Sequence, residues 1–189
     1  MTRPLVLLDV DGVLNAVPYF GRSEQWSDWQ VGEALASGSR FRITWSPSVV
    51  EAVLSWREIS DVQWLTTWGH DANASLRHLV GLPEMPVAGT HDELAAPPGA
   101  GDPDAGTHAA VTPAAPDPLT GRWWKFDVVR RLVHDHPDRR LVWIDDDLAR
   151  QEDIRAWMRR EAQCLLVAPE PSSGLTPAHL DSVATFLRG

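Results

Sequence analysis

Four short apolar runs along the chain predict the strands of a buried sheet. They occupy residues 5–8, 62–65, 141–144 and 163–168. Short runs of Val, Leu and Ile without polar alternation are typical of strands that are covered on both faces. The pattern therefore predicts four buried strands.

Helical periodicity fills most of the spaces between these runs. One helix is predicted to begin at Ser46 and Pro47, with Ser46 as its N-cap. Others are predicted over 71–80, 124–136, 148–160 and 176–187. Helices that alternate with parallel strands predict an α/β fold, a doubly wound parallel sheet with helices on both faces.

Two segments depart from this alternation. The first, 16–45, contains strand patterns at 29–31 and 41–45 around a small-residue turn, which predicts a hairpin flap after the first strand. Trp26 and Trp29 in this flap are expected either to contact substrate or to pin the flap to the core. The second, 87–122, is rich in Ala, Pro, Gly and Asp and predicts a long, partly mobile loop. Neither insert predicts a full cap domain, so we expect one domain over 1–189.

Composition narrows the class of protein. With 43% hydrophobic and 23% charged residues, the chain has the balance of an ordinary globular protein, and no apolar run reaches membrane-spanning length. Cys164 is the only cysteine, which excludes an intrachain disulfide and a zinc–thiolate cluster. We expect a cytoplasmic protein without a signal peptide. The net charge of −9 disfavours an extended grip on a nucleic-acid backbone, although it leaves room for a local phosphate site.

Carboxylates follow the first strand directly. Asp9 and Asp11 are two residues apart, so in an extended segment they point to the same side. Gly12 then permits a sharp turn. Two neighbouring carboxylates repel each other unless a cation or a shared proton intervenes, which suggests Mg²⁺. The alternative is an ordinary Asp-Gly turn after a strand.

Further polar residues follow later strands. Thr66 and Thr67 come after the second run, and three acids, Asp145 to Asp147, come after the third. Of the 17 Lys and Arg residues, Lys125 is the only lysine, which suggests a position that requires a compact charge. The alternatives are that Lys125 is a surface residue and that the acids only favour a helix N-terminus, with Asp147 as its N-cap.

The stretch from Leu5 to Asn15 resembles motif I of the haloacid dehalogenase (HAD) superfamily, with Asn15 where Thr is more usual. Thr66, Lys125 and the acids at 145–146 occur in the order of the other three motifs. The resemblance implies that Asp9 is the nucleophile, that Asp11 is the general acid and base, and that Thr66 and Lys125 hold the phosphate. It implies Mg²⁺ binding by Asp9, Asp11 and Asp146, supported by Asp145. Gly12, Thr67 and Trp68 adjoin these motif residues, and we expect them to contact the substrate.

The implied activity is phosphomonoester hydrolysis through an aspartyl-phosphate, because an Asp at position 11 is typical of the phosphatases and phosphomutases of the superfamily. The stretches around Trp64, Trp124 and Trp143 are similar to those of short actinobacterial HAD-domain proteins, some of which are linked to RNA repair. Three functions stay open: a phosphatase of phosphorylated small molecules, a polynucleotide end phosphatase, and a HAD-fold binding or regulatory protein with little turnover.

Overall fold

The computed structural model describes residues 2–17, 24–95 and 123–189. Its centre is a four-stranded parallel sheet in the order β4-β1-β5-β6, with strands numbered along the chain. The strands are β1 (Leu5–Leu8), β4 (Asp61–Trp64), β5 (Leu141–Ile144) and β6 (Cys164–Val167). Each of the four predicted strands is present, and the α/β prediction is confirmed.

The register of this sheet places the polar residues after the strands at one edge. Leu8 pairs with Trp64 of β4 on one side and with Ile144 of β5 on the other. The next residues, Asp9 and Asp145, are therefore neighbours across β1 and β5, and the Asp9 backbone N–H donates to the Ile144 carbonyl at 3.1 Å. The chain leaves β1 for β4 on one side and returns to β5 on the other. The end of β1 is thus the switch point where open α/β sheets bind ligands.

Helices cover both faces of the sheet. Leu5 and Leu7 of β1 pack on the side of α4 (Trp124–Asp135) and α5 (Glu152–Glu161). Val6 and Leu8 pack on the side of α1 (Pro47–Ile59) and α6 (Pro177–Arg188). The alternation along one strand between two apolar clusters is what a doubly wound sheet requires.

The predicted hairpin is formed by β2 (Gln30–Ala36) and β3 (Ser39–Trp45), which are longer than the sequence pattern indicates. Ser37 and Gly38 make the turn, both with positive φ. At its base, the indole N–H of Trp26 donates to the Leu175 carbonyl at 2.7 Å, and Trp29 is buried. These contacts support the pinning role for both tryptophans.

The helix α1 begins at Pro47 with Ser46 at its N-cap position, as predicted, but the capping bond comes from another residue. The Ser46 side chain makes no capping bond and instead donates to Asp28 Oδ1 at 2.7 Å. Asp28 Oδ2 accepts from the backbone N–H of Ser48 at 2.9 Å. A carboxylate from outside the helix thus caps α1 and ties it to the residues that lead into the hairpin.

Two other helices differ from their predicted form. The segment predicted as 71–80 is a π-helical turn, Ala72–Leu76, followed by α2 (Arg77–Val80). The helix predicted over 148–160 begins instead as a 3₁₀ turn, Asp146–Arg150, and continues as α5. The cap of that turn is Asp145, whose Oδ1 accepts from the Asp147 N–H at 3.1 Å, so the prediction of Asp147 as N-cap is wrong.

Only the beginning of the predicted 87–122 loop falls within the described residues, since 96–122 lie outside them. The described part has structure of its own. Val87 forms a parallel bridge with Trp64, which pairs part of the outer edge of β4. A short helix, α3 (His91–Ala95), follows. Among the described residues, no helix combines the length and apolar composition that crossing a bilayer requires.

Candidate active site

Three carboxylates meet at the carboxyl edge of the sheet. Oxygen atoms of Asp9, Asp145 and Asp146 all lie within 4.8 Å of one another. Asp9 is 5% exposed and Asp145 is fully buried. Asp9 and Asp145 are brought together by the register of β1 and β5, and Asp146 by the 3₁₀ turn that Asp145 caps.

Lys125 supplies the positive charge next to this cluster. Its Nζ donates to Asp9 Oδ2 at 2.5 Å and to Asp145 Oδ2 at 2.7 Å, and the residue is 2% exposed. The ammonium also lies 5.7 Å from the ring centroid of Trp123, which stacks on Trp143 of β5 at 5.0 Å. Because α4 packs on the face to which Asp9 points, its first turn delivers Lys125 to the end of β1.

Burial and charge perturb every group of the cluster. Burial raises the pKa of Asp9 above its usual value, although Lys125 opposes that change. Burial and the neighbouring Asp9 carboxylate raise the pKa of Asp145 to about 8. Burial, together with Asp147 and Asp9, raises the pKa of Asp146 to about 6. Burial disfavours the charge of Lys125, but Asp9 and Asp145 outweigh it and raise the Lys125 pKa. One ammonium does not neutralise three carboxylates.

The Asp11 carboxylate lies outside this cluster and has donors of its own. Its Oδ1 accepts from the Asn15 amide at 2.7 Å, and its Oδ2 accepts from the indole N–H of Trp68 at 2.9 Å. The Asn15 side-chain oxygen in turn accepts from the Thr44 N–H of β3 at 2.8 Å. Both oxygens of Asp11 are therefore held, one of them through the hairpin.

Thr66 links the cluster to the loop after β4. It is buried, its hydroxyl hydrogen-bonds the Asp9 carboxyl, and its oxygen accepts from the Trp68 backbone N–H at 3.3 Å. Thr67 is exposed beside it. Thr66, Thr67 and Trp68 all line an open cavity of about 670 Å³ that begins at this edge of the sheet.

Over residues 5–180, the sequence matches the family described as the HAD domain in Swiss Army Knife RNA repair proteins. The chain belongs to this family of the HAD superfamily. No curated protein and no solved structure matches the chain. Membership supports a hydrolase of the phosphatase type.

HAD proteins generally use Mg²⁺, and the residues at this edge fit such an ion. The donor set is all carboxylate oxygen, which a hard divalent cation prefers, and Lys125 supplies one positive charge to three carboxyl groups. Gly12 contributes by having no side chain. A Cβ there would lie 2.5 Å from Asp146 Cγ, so only glycine leaves room for this carboxylate.

The HAD motif residues predicted from sequence thus separate into two groups. Asp9, Lys125 and Asp145 form a buried cluster with the half-buried Asp146, joined by the Thr66 hydroxyl and bordered by Gly12. Asp11 stands apart with Trp68, so the structure does not bring its carboxylate into the proposed metal-binding set. Sequence reasoning missed the role of Asn15. The only signal was its place in motif I where Thr is usual.

Proposed function

We propose that this protein is a Mg²⁺-dependent phosphomonoester hydrolase that acts through an aspartyl-phosphate on Asp9. The observation that carries the proposal is the buried contact of Asp9 with Lys125 inside a carboxylate cluster that a second cation would complete. A nucleophilic carboxylate that is held in one orientation, with positive charge beside it, suits attack on an anionic phosphoryl group.

In this mechanism, one carboxylate oxygen of Asp9 attacks phosphorus while the bond from phosphorus to the ester oxygen breaks. Lys125 and the Asp9-bound hydroxyl of Thr66 keep the nucleophile oriented. Asp11 donates a proton to the departing oxygen, which leaves as an alcohol, and then removes a proton from the water that releases phosphate from Asp9. The donors from Asn15 and Trp68 hold Asp11 in place for both transfers.

Asp9, Asp145 and Asp146 would hold the Mg²⁺ ion. When bound, it supplies positive charge that offsets the repulsion between the phosphoryl group and the carboxylates. We assign the Asp11 carboxylate to proton transfer and not to the metal, because both of its oxygens already accept hydrogen bonds from side chains outside the cluster.

A phosphorylated nucleic-acid end is the substrate that family membership favours, since the matched domain is described from RNA repair proteins. A phosphorylated small molecule is the second candidate. The net charge of −9 favours a substrate that is held at its end and not along its backbone.

The test is release of inorganic phosphate from p-nitrophenyl phosphate and from oligoribonucleotides phosphorylated at either end, with and without Mg²⁺. We expect Mg²⁺-dependent turnover, and we expect Asp9→Asn to lower kcat by about a thousandfold or more. Asp138→Asn, which removes an exposed acid in the α4–β5 connection, is the matched control and should keep wild-type rates. Full activity in Asp9→Asn would refute the proposal, and absence of turnover on every ester would favour the binding or regulatory role.

A further inference from the structure

The cavity lined by Thr66, Thr67 and Trp68 is large enough to hold part of a substrate. It is about 670 Å³ in volume and lies between the loop after β4 and the described residues 90–93. This volume is within the range of sites that enclose a small organic molecule. Thr66, which hydrogen-bonds Asp9, forms part of its wall, and so does Trp124, the residue before Lys125. A molecule in this cavity would therefore be connected directly to a phosphate at Asp9.

Two rings form one side of the cavity. Trp124 is half-buried, and the His91 imidazole meets it edge to face with ring centroids 6.4 Å apart. Trp124 is the first residue of α4. The residue that follows it, Lys125, is anchored by two ion pairs, so the position of the indole is fixed. A fixed indole beside a phosphate site is a platform on which a planar ring can stack.

Carboxylates also line the cavity. Asp71, Asp92 and Glu93 supply them, with His91 beside Asp92 and His70 beside Glu93, and no Lys or Arg is found among the described lining residues. Glu93 has its own anchor, since its Oε2 accepts from the Thr90 N–H at 2.8 Å. Carboxylates repel a second phosphate and accept hydrogen bonds from ring N–H and amino groups. The lining thus favours a leaving group that is planar, uncharged and rich in donors.

We infer that this cavity binds the nucleobase of the nucleotide whose phosphate is removed. The inference rests on the proposed function and deepens it. The leaving alcohol is a nucleoside hydroxyl, its base stacks on Trp124, and its amino groups face Asp92 and Glu93. Any further phosphates of a polynucleotide lie outside the cavity, because its carboxylates repel them.

The first test compares kcat/KM for adenosine 5′-monophosphate and ribose 5-phosphate, two esters that differ by the base alone. We expect the nucleotide to be favoured by about tenfold or more, the scale of one base–aromatic stack. Trp124→Ala should abolish that preference. Trp157→Ala removes a half-buried tryptophan that packs against Phe126 and does not line the cavity, and this variant should retain the preference. The ratio of the two substrates does not depend on the fraction of folded enzyme.

The second test addresses the carboxylates of the cavity. Glu93→Gln keeps an acceptor for the Thr90 N–H but removes the charge. We expect it to raise kcat/KM for adenosine 3′,5′-bisphosphate severalfold relative to the monophosphate. Glu51→Gln, on the exposed side of α1, should leave that ratio unchanged. An unchanged ratio in Glu93→Gln would remove the charge argument.

Outcomes for the cavity and for the proposed function are separable. Equal kcat/KM for the nucleotide and the sugar phosphate, with Asp9-dependent turnover of both, would overturn the nucleobase assignment alone. If no ester is hydrolysed, calorimetric titration with adenosine decides: binding that Trp124→Ala weakens and Trp157→Ala does not supports the assignment, and absence of binding overturns it.

Discussion

The indole N–H of Trp68 donates a hydrogen bond to Asp11 Oδ2 at 2.9 Å, which ties the proposed proton donor to the loop after β4. The Trp68 ring also lies 5.5 Å from the Phe41 ring of β3. Asn15, the other donor to Asp11, accepts from Thr44 of the same strand. The position of the Asp11 carboxylate therefore depends on the position of β3, so the hairpin orients the proposed proton donor as well as covering the core.

Replacing Trp68 by Phe tests this dependence. Trp68→Phe keeps an aromatic ring against Phe41 but removes the donor to Asp11. We expect kcat to fall by about tenfold, the order of one lost positioning hydrogen bond, with a smaller change in KM. Trp26→Phe is the matched control, because it removes an indole bond to the Leu175 carbonyl. Equal kcat losses in both variants would show a general effect of hairpin stability.

Removing the Lys125 ammonium should lower the free energy of unfolding, because two buried carboxylates lose their counter-charge. Lys125→Met leaves Asp9 and Asp145 buried without their ammonium, and breaking such a pair costs about 3–5 kcal/mol. The loss should be smaller at low pH, where protonated carboxyls need no counter-charge. Urea denaturation of the wild-type protein and of Lys125→Met, in acidic and in mildly alkaline buffer, measures this loss of unfolding free energy.

Lys125→Arg separates charge from shape at the same position. We expect turnover to be lost although the charge is kept, since a forked guanidinium does not fit where Lys125 is 2% exposed. Wild-type activity in Lys125→Arg would contradict a requirement for a compact cation.

Divalent cations should stabilise the protein more as pH rises. Burial and the Asp9 charge raise the pKa of Asp145 from 3.8 to about 8, so the folded state holds protons that the unfolded state releases. Without a metal, this carboxyl contributes stability at low pH that is lost as pH rises through that interval. Mg²⁺ competes with the same protons, so its effect on Tm should be larger at about pH 8 than at about pH 5.5.

Thermal unfolding with Mg²⁺ and with EDTA at both pH values measures that effect. The variant Asp146→Asn removes one proposed ligand and should reduce the Mg²⁺-induced increase in Tm. An increase of the same size at both pH values, or in the variant, would place the ion elsewhere.

Gly12→Ala should weaken metal binding for a steric reason. The added Cβ would lie 2.5 Å from the Asp146 carboxyl carbon, and φ at this position is +71°. Gly81→Ala is the control, since φ there is +84° with no atom near the new methyl group. Both variants should lose about 1 kcal/mol of unfolding free energy from left-handed backbone strain. Only Gly12→Ala should require more Mg²⁺ for half-maximal activity, and an unchanged Mg²⁺ requirement would show that Asp146 can move without loss.

Sequence patterns predicted the parts of the site that depend on strand order. Asp9 and Asp145 each follow an apolar run, and parallel neighbours bring such residues to one edge, so their meeting followed from local pattern and topology. Lys125 could be placed there because the HAD motif order calls for a lysine at the start of a later helix and the chain has no other lysine.

Other features depended on contacts that local patterns do not carry. The bond from Trp68 to Asp11 spans 57 residues, and the cap of α1 by Asp28 comes from outside the helix. Ser46 occupies the N-cap position of α1 as predicted, but Asp28 accepts the capping bond, and the cap of the 3₁₀ turn after β5 is Asp145 where Asp147 was expected. The cavity wall at 90–93 was missed because the composition of 87–122 indicated only a loop.

The order of strands in the sheet also determines when the protein can mature. β1 is the first strand to be synthesised, yet it lies between β4 and β5, and the partner of Asp9 on α4 comes 116 residues later. Until β5 emerges from the ribosome, one side of β1 has no neighbour, and Asp9 lacks the carboxylates of Asp145 and Asp146, which follow β5. An unfinished chain therefore displays an apolar strand with a free edge, the kind of surface that aggregates or recruits chaperones. Pairing of β5 with β1 ends this exposure and brings Asp145 to the side of Asp9 in the same step.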